Sequence, residues 1–110
     1  MNKPMTASEC LRQAKSLINT PEKWTKGWYW KGSDGDDISR LEVAKHSAAK
    51  MCSLGALYVA DGPAEGHAIS ILESVTGHLI AAFNDSHTHA EVMAKFDEAI
   101  ALAEKEERGE

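Results

Sequence analysis

The chain has 110 residues, 43% of them hydrophobic and 26% charged, with a formal net charge of −5 at pH 7. This length suits one folded unit with its own core, a single domain over residues 1–110, and the balance of apolar to charged residues excludes the disordered class. A net negative chain has no general attraction to duplex DNA or to an anionic membrane, no apolar run reaches the length of a membrane span, and nothing at the start resembles a secretory leader, so the chain reads as cytoplasmic.

In chain order, Thr6 and Glu9 have the spacing of a capping box, and Ala7, Leu11, Ala14, Leu17 and Ile18 repeat at helical intervals before Asn19-Thr20-Pro21. These predict a first helix over residues 7–19. The stretch "PEKWTKGWYWKGSDGDDIS" that follows holds no sustained period. It reads as a turn around Trp24, an irregular or briefly extended piece at residues 28–30, and an exposed loop over residues 32–37.

From Arg40 the helical period returns. Ala44, Ala48, Cys52, Gly55 and Val59 form one stripe, with Leu41, Met51, Leu54 and Tyr58 beside it, predicting a central helix that runs to the break at Asp61-Gly62-Pro63. Small residues on such a face let a neighbouring helix approach closely. Ala64, Ala68, Ile71, Leu72 and Val75 predict a third helix, with Gly77 placed to end it. "HLIAAF" is too short for its period to separate helix from strand. The last helix is predicted over residues 89–107, with Val92, Phe96, Ala99, Ile100 and Ala103 on its buried face. Glu91 and Lys95 are spaced as an i,i+4 pair, and Lys105 and Arg108 lie near the negative end of the helix dipole. The fold expected is all-α, a bundle of about four helices with one long Trp-rich, acidic loop. The alternative is α+β, with residues 28–30 and 79–83 paired as a two-stranded ribbon.

Residues 83–92, "FNDSHTHAEV", concentrate polar chemistry. Asp85, His87 and His89 are candidate metal ligands, with His46, His67 or His78 available only through the fold. Thr88 and Glu91 again have the spacing of a capping box, with Asp85 or Ser86 as alternative caps, and a helix start accounts for the residue types. Residues at i and i+2 do not share a helix face, so a metal site needs extended backbone here. The capping reading is preferred, and no cofactor is expected. A Cys/His/Asn set can be drawn from Cys52, His87 or His89, and Asn84, but a cysteine inside a helix lacks the electropositive, partly exposed setting of a nucleophile. Cys10 and Cys52 have neither CxxC nor zinc-knuckle spacing and read as reduced, buried small hydrophobes.

"WTKGWYWKG" gathers all three tryptophans and one of the two tyrosines, interleaved with lysines. Trp24, Lys26, Trp28, Trp30 and Lys31 are the candidate ligand-binding residues, because flat rings beside ammonium groups suit a nucleobase with its phosphate. The competing reading has loop-borne tryptophans closing a small core. "SDGDD" is not an EF-hand: with Asp34 as the first position, the fifth is Ile38 and the twelfth is Lys45, where an acid is required.

Leu17-Ile18, Trp24 with Gly27, the "C-x-x-G-A-L" run from Cys52 to Leu57, Asn84-Asp85, Thr88 and Glu91-Val92 occur in an order that resembles an uncharacterised family of small phage and actinobacterial proteins. The chain departs from that pattern at His87, where the family tends to have an arginine, so an anion-binding role does not carry over to this position. The resemblance brings no activity. It implies a small binding module, non-enzymatic, acting on a host protein or sequestering a small nucleotide, as in anti-defence, in the host cytoplasm. The alternative is a small metal- or thiol-dependent enzyme using Asp85, His87, His89 or Cys52. Self-association through Ala-rich helix faces is a third role.

Overall fold

A computed structural model describes residues 4–32, 34–39, 43 and 50–110. Helix α1 (Ala7–Leu17) begins where its capping signal places it: the Glu9 amide donates to the Thr6 hydroxyl at 3.2 Å, and the Thr6 amide donates to the Glu9 carboxylate at 2.9 Å. Both amides would otherwise lack an intrahelical partner, and such a cap is worth about 1 kcal/mol. A 3-10 turn (Pro21–Lys23) then redirects the chain into the aromatic segment.

Part of that segment is sheet. Strand β1 (Trp30–Lys31) pairs antiparallel with β2 (Lys50–Met51), Trp30 opposite Met51 and Lys31 opposite Lys50. The acidic loop folds back onto β1, with the Gly32 amide donating to Asp36 O at 2.9 Å and the Ile38 amide to Trp30 O at 3.0 Å. The described residues therefore form five α-helices and one two-stranded antiparallel sheet, α+β rather than all-α. The expected ribbon is also corrected in its partner. Residues 79–83 do not form its second strand but open helix α4 (Ile80–Ser86), in which Ile80, Phe83 and Asn84 are buried at helical spacing. A strand would divide those three between opposite faces.

The central helix is shorter than its period predicts. Helix α2 spans Ser53–Ala60, preceded by an extended Cys52 whose Sγ accepts from the Gly55 amide at 3.3 Å. Lys50 and Met51 are drawn into the ladder with β1, whose hydrogen bonds override a helical pattern made largely of small residues. Leu41, Ala44 and Ala48 lie outside the described residues. Helix α3 (Glu65–Thr76) ends at a left-handed Gly77, as predicted. Helix α5 (His89–Glu107) has the predicted bounds and buries the predicted five residues. Lys95 pairs with Glu98 at 2.9 Å instead of Glu91, whose carboxylate is held at the Thr88 amide at 2.8 Å.

Helices α1, α2, α3 and α5 pack around Leu11, Ile18, Leu57, Val92 and Phe96, all nearly inaccessible, with Ile80 of α4 beneath them. Ala14, Ala56, Ala68, Ala99 and Ala103 face this core, so the small faces bring helices of the same chain together. The aromatic segment lies against the first turn of α2. Tyr29 O accepts from the Cys52 amide at 3.0 Å, and the Trp30 indole donates to Gly55 O at 3.0 Å. A Cβ at Gly55 would stand 2.2 Å from Tyr29 O, so glycine alone admits this approach.

Two glycine substitutions separate this contact from helix propensity. Gly55→Ala is expected to destabilise the fold by about 1–3 kcal/mol through overpacking against backbone. Gly66→Ala in α3, where an added Cβ meets nothing within 4 Å, is expected to stabilise it by about 0.5–1 kcal/mol. Urea midpoints moving in opposite directions are the expected result; a neutral Gly55→Ala would refute the close approach.

Candidate functional site

The residues of "FNDSHTHAEV" divide among different tasks. Asn84, wholly buried on α4, accepts at Oδ1 from the Trp24 indole (2.7 Å), the Ser53 amide (3.0 Å) and the Ser53 hydroxyl (2.7 Å). Its Nδ2 donates to Thr25 O at 2.9 Å and to Asp85 Oδ1 at 3.2 Å. Two donors that cannot act as acceptors, an indole and a backbone amide, fix which end of the amide carries the oxygen. Asp85 is exposed, yet its Oδ1 also accepts from the Gly27 amide at 3.0 Å, and Gly27 has a left-handed φ of 87° that favours glycine. Asn84 and Asp85 thus anchor the aromatic segment to α2 and α4.

The two histidines separate. His87 follows α4 in an extended conformation, stacks on Phe83 at 3.8 Å, and directs Nδ1 to Phe83 O at 2.9 Å. His89 opens α5, meets the Trp24 ring edge-on at 5.6 Å, and donates from Nε2 to Ile18 O at 2.7 Å. The extended backbone that a metal pair would need is present at His87, but the rings are held at carbonyls from different parts of the chain. Among the described residues no group of three or more His, Cys, Asp or Glu is placed to hold a metal ion; His46 and Lys45 lie outside them. In the acidic loop, the Asp36 amide donates to Asp34 at 3.0 Å, a local turn bond.

Cys52 is a cap and not the mid-helix residue its period predicts. Burial pushes its thiol above the ordinary range, against a lowering by the Gly55 and Leu54 amides. Burial likewise pushes Cys10 up to about 11, so neither thiol carries the depressed value of a nucleophile.

The aromatic segment is graded from core to surface. Trp30 is 6% exposed and belongs to the core. Trp24 is half-buried, with Lys26 Nζ at 5.5 Å from its ring centre, and Lys31 pairs with Asp37 at 3.8 Å. Trp28 is 41% exposed, stacked on Tyr29 at 5.2 Å and pinned by its indole bond to Ile38 O at 2.9 Å. Beside it opens a cleft of about 220 Å³ lined by Gly27, Trp28, Tyr29, Cys52, Ala81 and Asp85. Tyr29 and Ala81 join the candidate set only through folding, whereas Asp85, a candidate metal ligand by sequence, is brought by the fold into the cleft that Trp28 lines. A wider groove of about 470 Å³ lies between α1 and α5, but Arg12–Glu104 and Lys15–Asp97 ion pairs cross it.

A family model described as a family of unknown function, DUF6197, matches residues 2–102. The chain belongs to that family. No curated protein and no solved structure matches it. In this DUF6197 chain, Trp24 and Gly27 bond Asn84 and Asp85, Ile18 O accepts from His89, and Cys52 caps the helix against which Tyr29 packs. No helix of the described residues is long and apolar enough to cross a membrane.

Replacing Asn84 with Ala would leave the Ser53 amide, its hydroxyl and the Trp24 indole without their acceptor. A loss of about 3 kcal/mol or more is expected in chemical denaturation, since each orphaned buried donor costs about 1–3 kcal/mol. The Glu91 carboxyl is held below its ordinary 4.5 by bonds from the Thr88 amide and hydroxyl. A depressed folded value contributes stability that is complete above the unfolded pKa and is lost as pH falls through the folded one. Melting temperature should therefore fall less steeply below pH 4.5 in Glu91→Gln than in the wild type; parallel profiles would remove the linkage.

Proposed function

We propose that this protein is a small non-enzymatic binding module whose contact surface is the segment of residues 24–31, acting on a host protein in an anti-defence role. The carrying observation is Trp28, a large ring 41% exposed yet clamped by a stacking partner and an indole hydrogen bond beside an open cleft. A pre-organised exposed aromatic loses little conformational entropy when covered, which is why such rings recur as binding anchors.

Two features favour a protein partner over a nucleotide. The cleft, at about 220 Å³, is smaller than the ~300–1,000 Å³ that encloses a whole drug-sized ligand. Lys26 and Lys31, the cations that a nucleotide phosphate would need, are directed to Trp24 and Asp37. The raised Cys52 thiol and the separately anchored His87 and His89 favour binding over thiol or metal chemistry. The family resemblance to phage proteins supports the setting, a host cytoplasm.

A native mass spectrum of the protein purified from its producing cells without chelator, set beside the denatured mass, tests this reading. A mass excess of protein size is expected for the wild type, lost in Trp28→Ala and kept in His87→Ala and His89→Ala. Retention in Trp28→Ala, or loss with either histidine variant, overturns it.

A further inference from the structure

We infer that the cleft beside Trp28 accepts one cationic group, the guanidinium of an arginine on the partner protein; this rests on the binding-module reading and gives its ligand chemistry. The argument begins with Asp85. Its bonds to described residues, from the Gly27 amide and Asn84 Nδ2, both fall on Oδ1, and no described cation pairs with it. The carboxylate is thus oriented by its own chain, with Oδ2 left to accept from a ligand. The same cleft is lined by Trp28 and Tyr29, which stack at 5.2 Å, and the indole bond to Ile38 O holds the Trp28 ring in place. Aromatic rings and a carboxylate lining one cleft suit a cation and oppose a phosphate.

Size and shape narrow the choice further. About 220 Å³ accommodates a side-chain terminus and not a whole nucleotide. A planar guanidinium stacks on an aromatic ring while directing an N–H in its own plane to a carboxylate, whereas an ammonium acts as a strongly hydrated point charge. The chain's net charge of −5 adds a favourable field for a basic partner.

The test titrates nitrogen-labelled full-length protein with N-acetyl-arginine amide and with its neutral isostere, N-acetyl-citrulline amide, following the Gly27 amide and Trp28 indole resonances. Saturable shifts with the arginine compound are expected, with binding at least about tenfold weaker for citrulline, as charge-assisted pairing requires. Asp85→Asn keeps an acceptor for Gly27 but removes the charge, and should reduce the arginine response to the citrulline level. Ala81→Met narrows the same cleft without touching the carboxylate and should weaken both responses. Equal responses to the two compounds, no response to either, or an unchanged response in Asp85→Asn overturns the inference. So does a response to spermidine with none to the arginine compound, since that indicates a free polyamine. In the native mass experiment, loss of the partner from Trp28→Ala but not from Asp85→Asn removes the arginine and leaves the binding module standing. Retention in both variants removes the binding module itself.

Discussion

One carboxamide, that of Asn84, joins parts of the chain that share no secondary structure. Its oxygen collects the Trp24 indole and both donors of Ser53, and its nitrogen reaches Thr25 O, so the aromatic segment, the first turn of α2 and helix α4 meet at a wholly buried point. In a low-dielectric interior such a cluster is stable only when every member is partnered, and a half-satisfied version is worse than an apolar core. No buried side-chain nitrogen or oxygen among the described residues is left without a partner. That completeness holds the aromatic segment, which has only two residues of regular strand, in one position.

The Gly55 contact works in the same direction by a different force. Asn84 draws the aromatic segment in through directional bonds, and the missing Cβ at Gly55 permits its backbone to come within hydrogen-bonding reach of Cys52. With the backbone held at both places, Trp30 is committed to the core and Trp28 to the surface, where Asp85 is already oriented by the Gly27 amide. The cleft between them follows from scaffold bonds. Binding there would require little reorganisation, which is how a small domain reaches useful affinity from a modest contact area.

Much of the helical framework is legible in the linear sequence, because helix ends are local chemistry. Thr6 with Glu9 and Thr88 with Glu91 mark two starts, Gly77 marks a stop, and the buried face of α5 follows from spacing alone. The errors concern segments whose local signal is weak or divided. Lys50 to Cys52 continue a helical period in sequence but become strand and cap, since their pairing partner lies about twenty residues away and a period of small residues exerts little preference. "HLIAAF" resolves as the opening of a helix once Ile80, Phe83 and Asn84 are seen to face the same core.

The sequence by itself determined where the long helices begin and end, which of their faces are apolar, and that residues 24–31 and 84–91 hold the unusual chemistry, because capping and periodicity act between residues a few positions apart. Only the tertiary structure decided where that chemistry is placed. The separation of Trp30, Trp24 and Trp28 into core, half-buried anchor and surface, the dispersal of His87 and His89 to different carbonyls, and the placing of Asp85 and Trp28 in one cleft all depend on contacts between distant segments. Their residue types are compatible with several arrangements, and the requirement to satisfy Asn84 and to fit the Tyr29 backbone against Gly55 selects one of them.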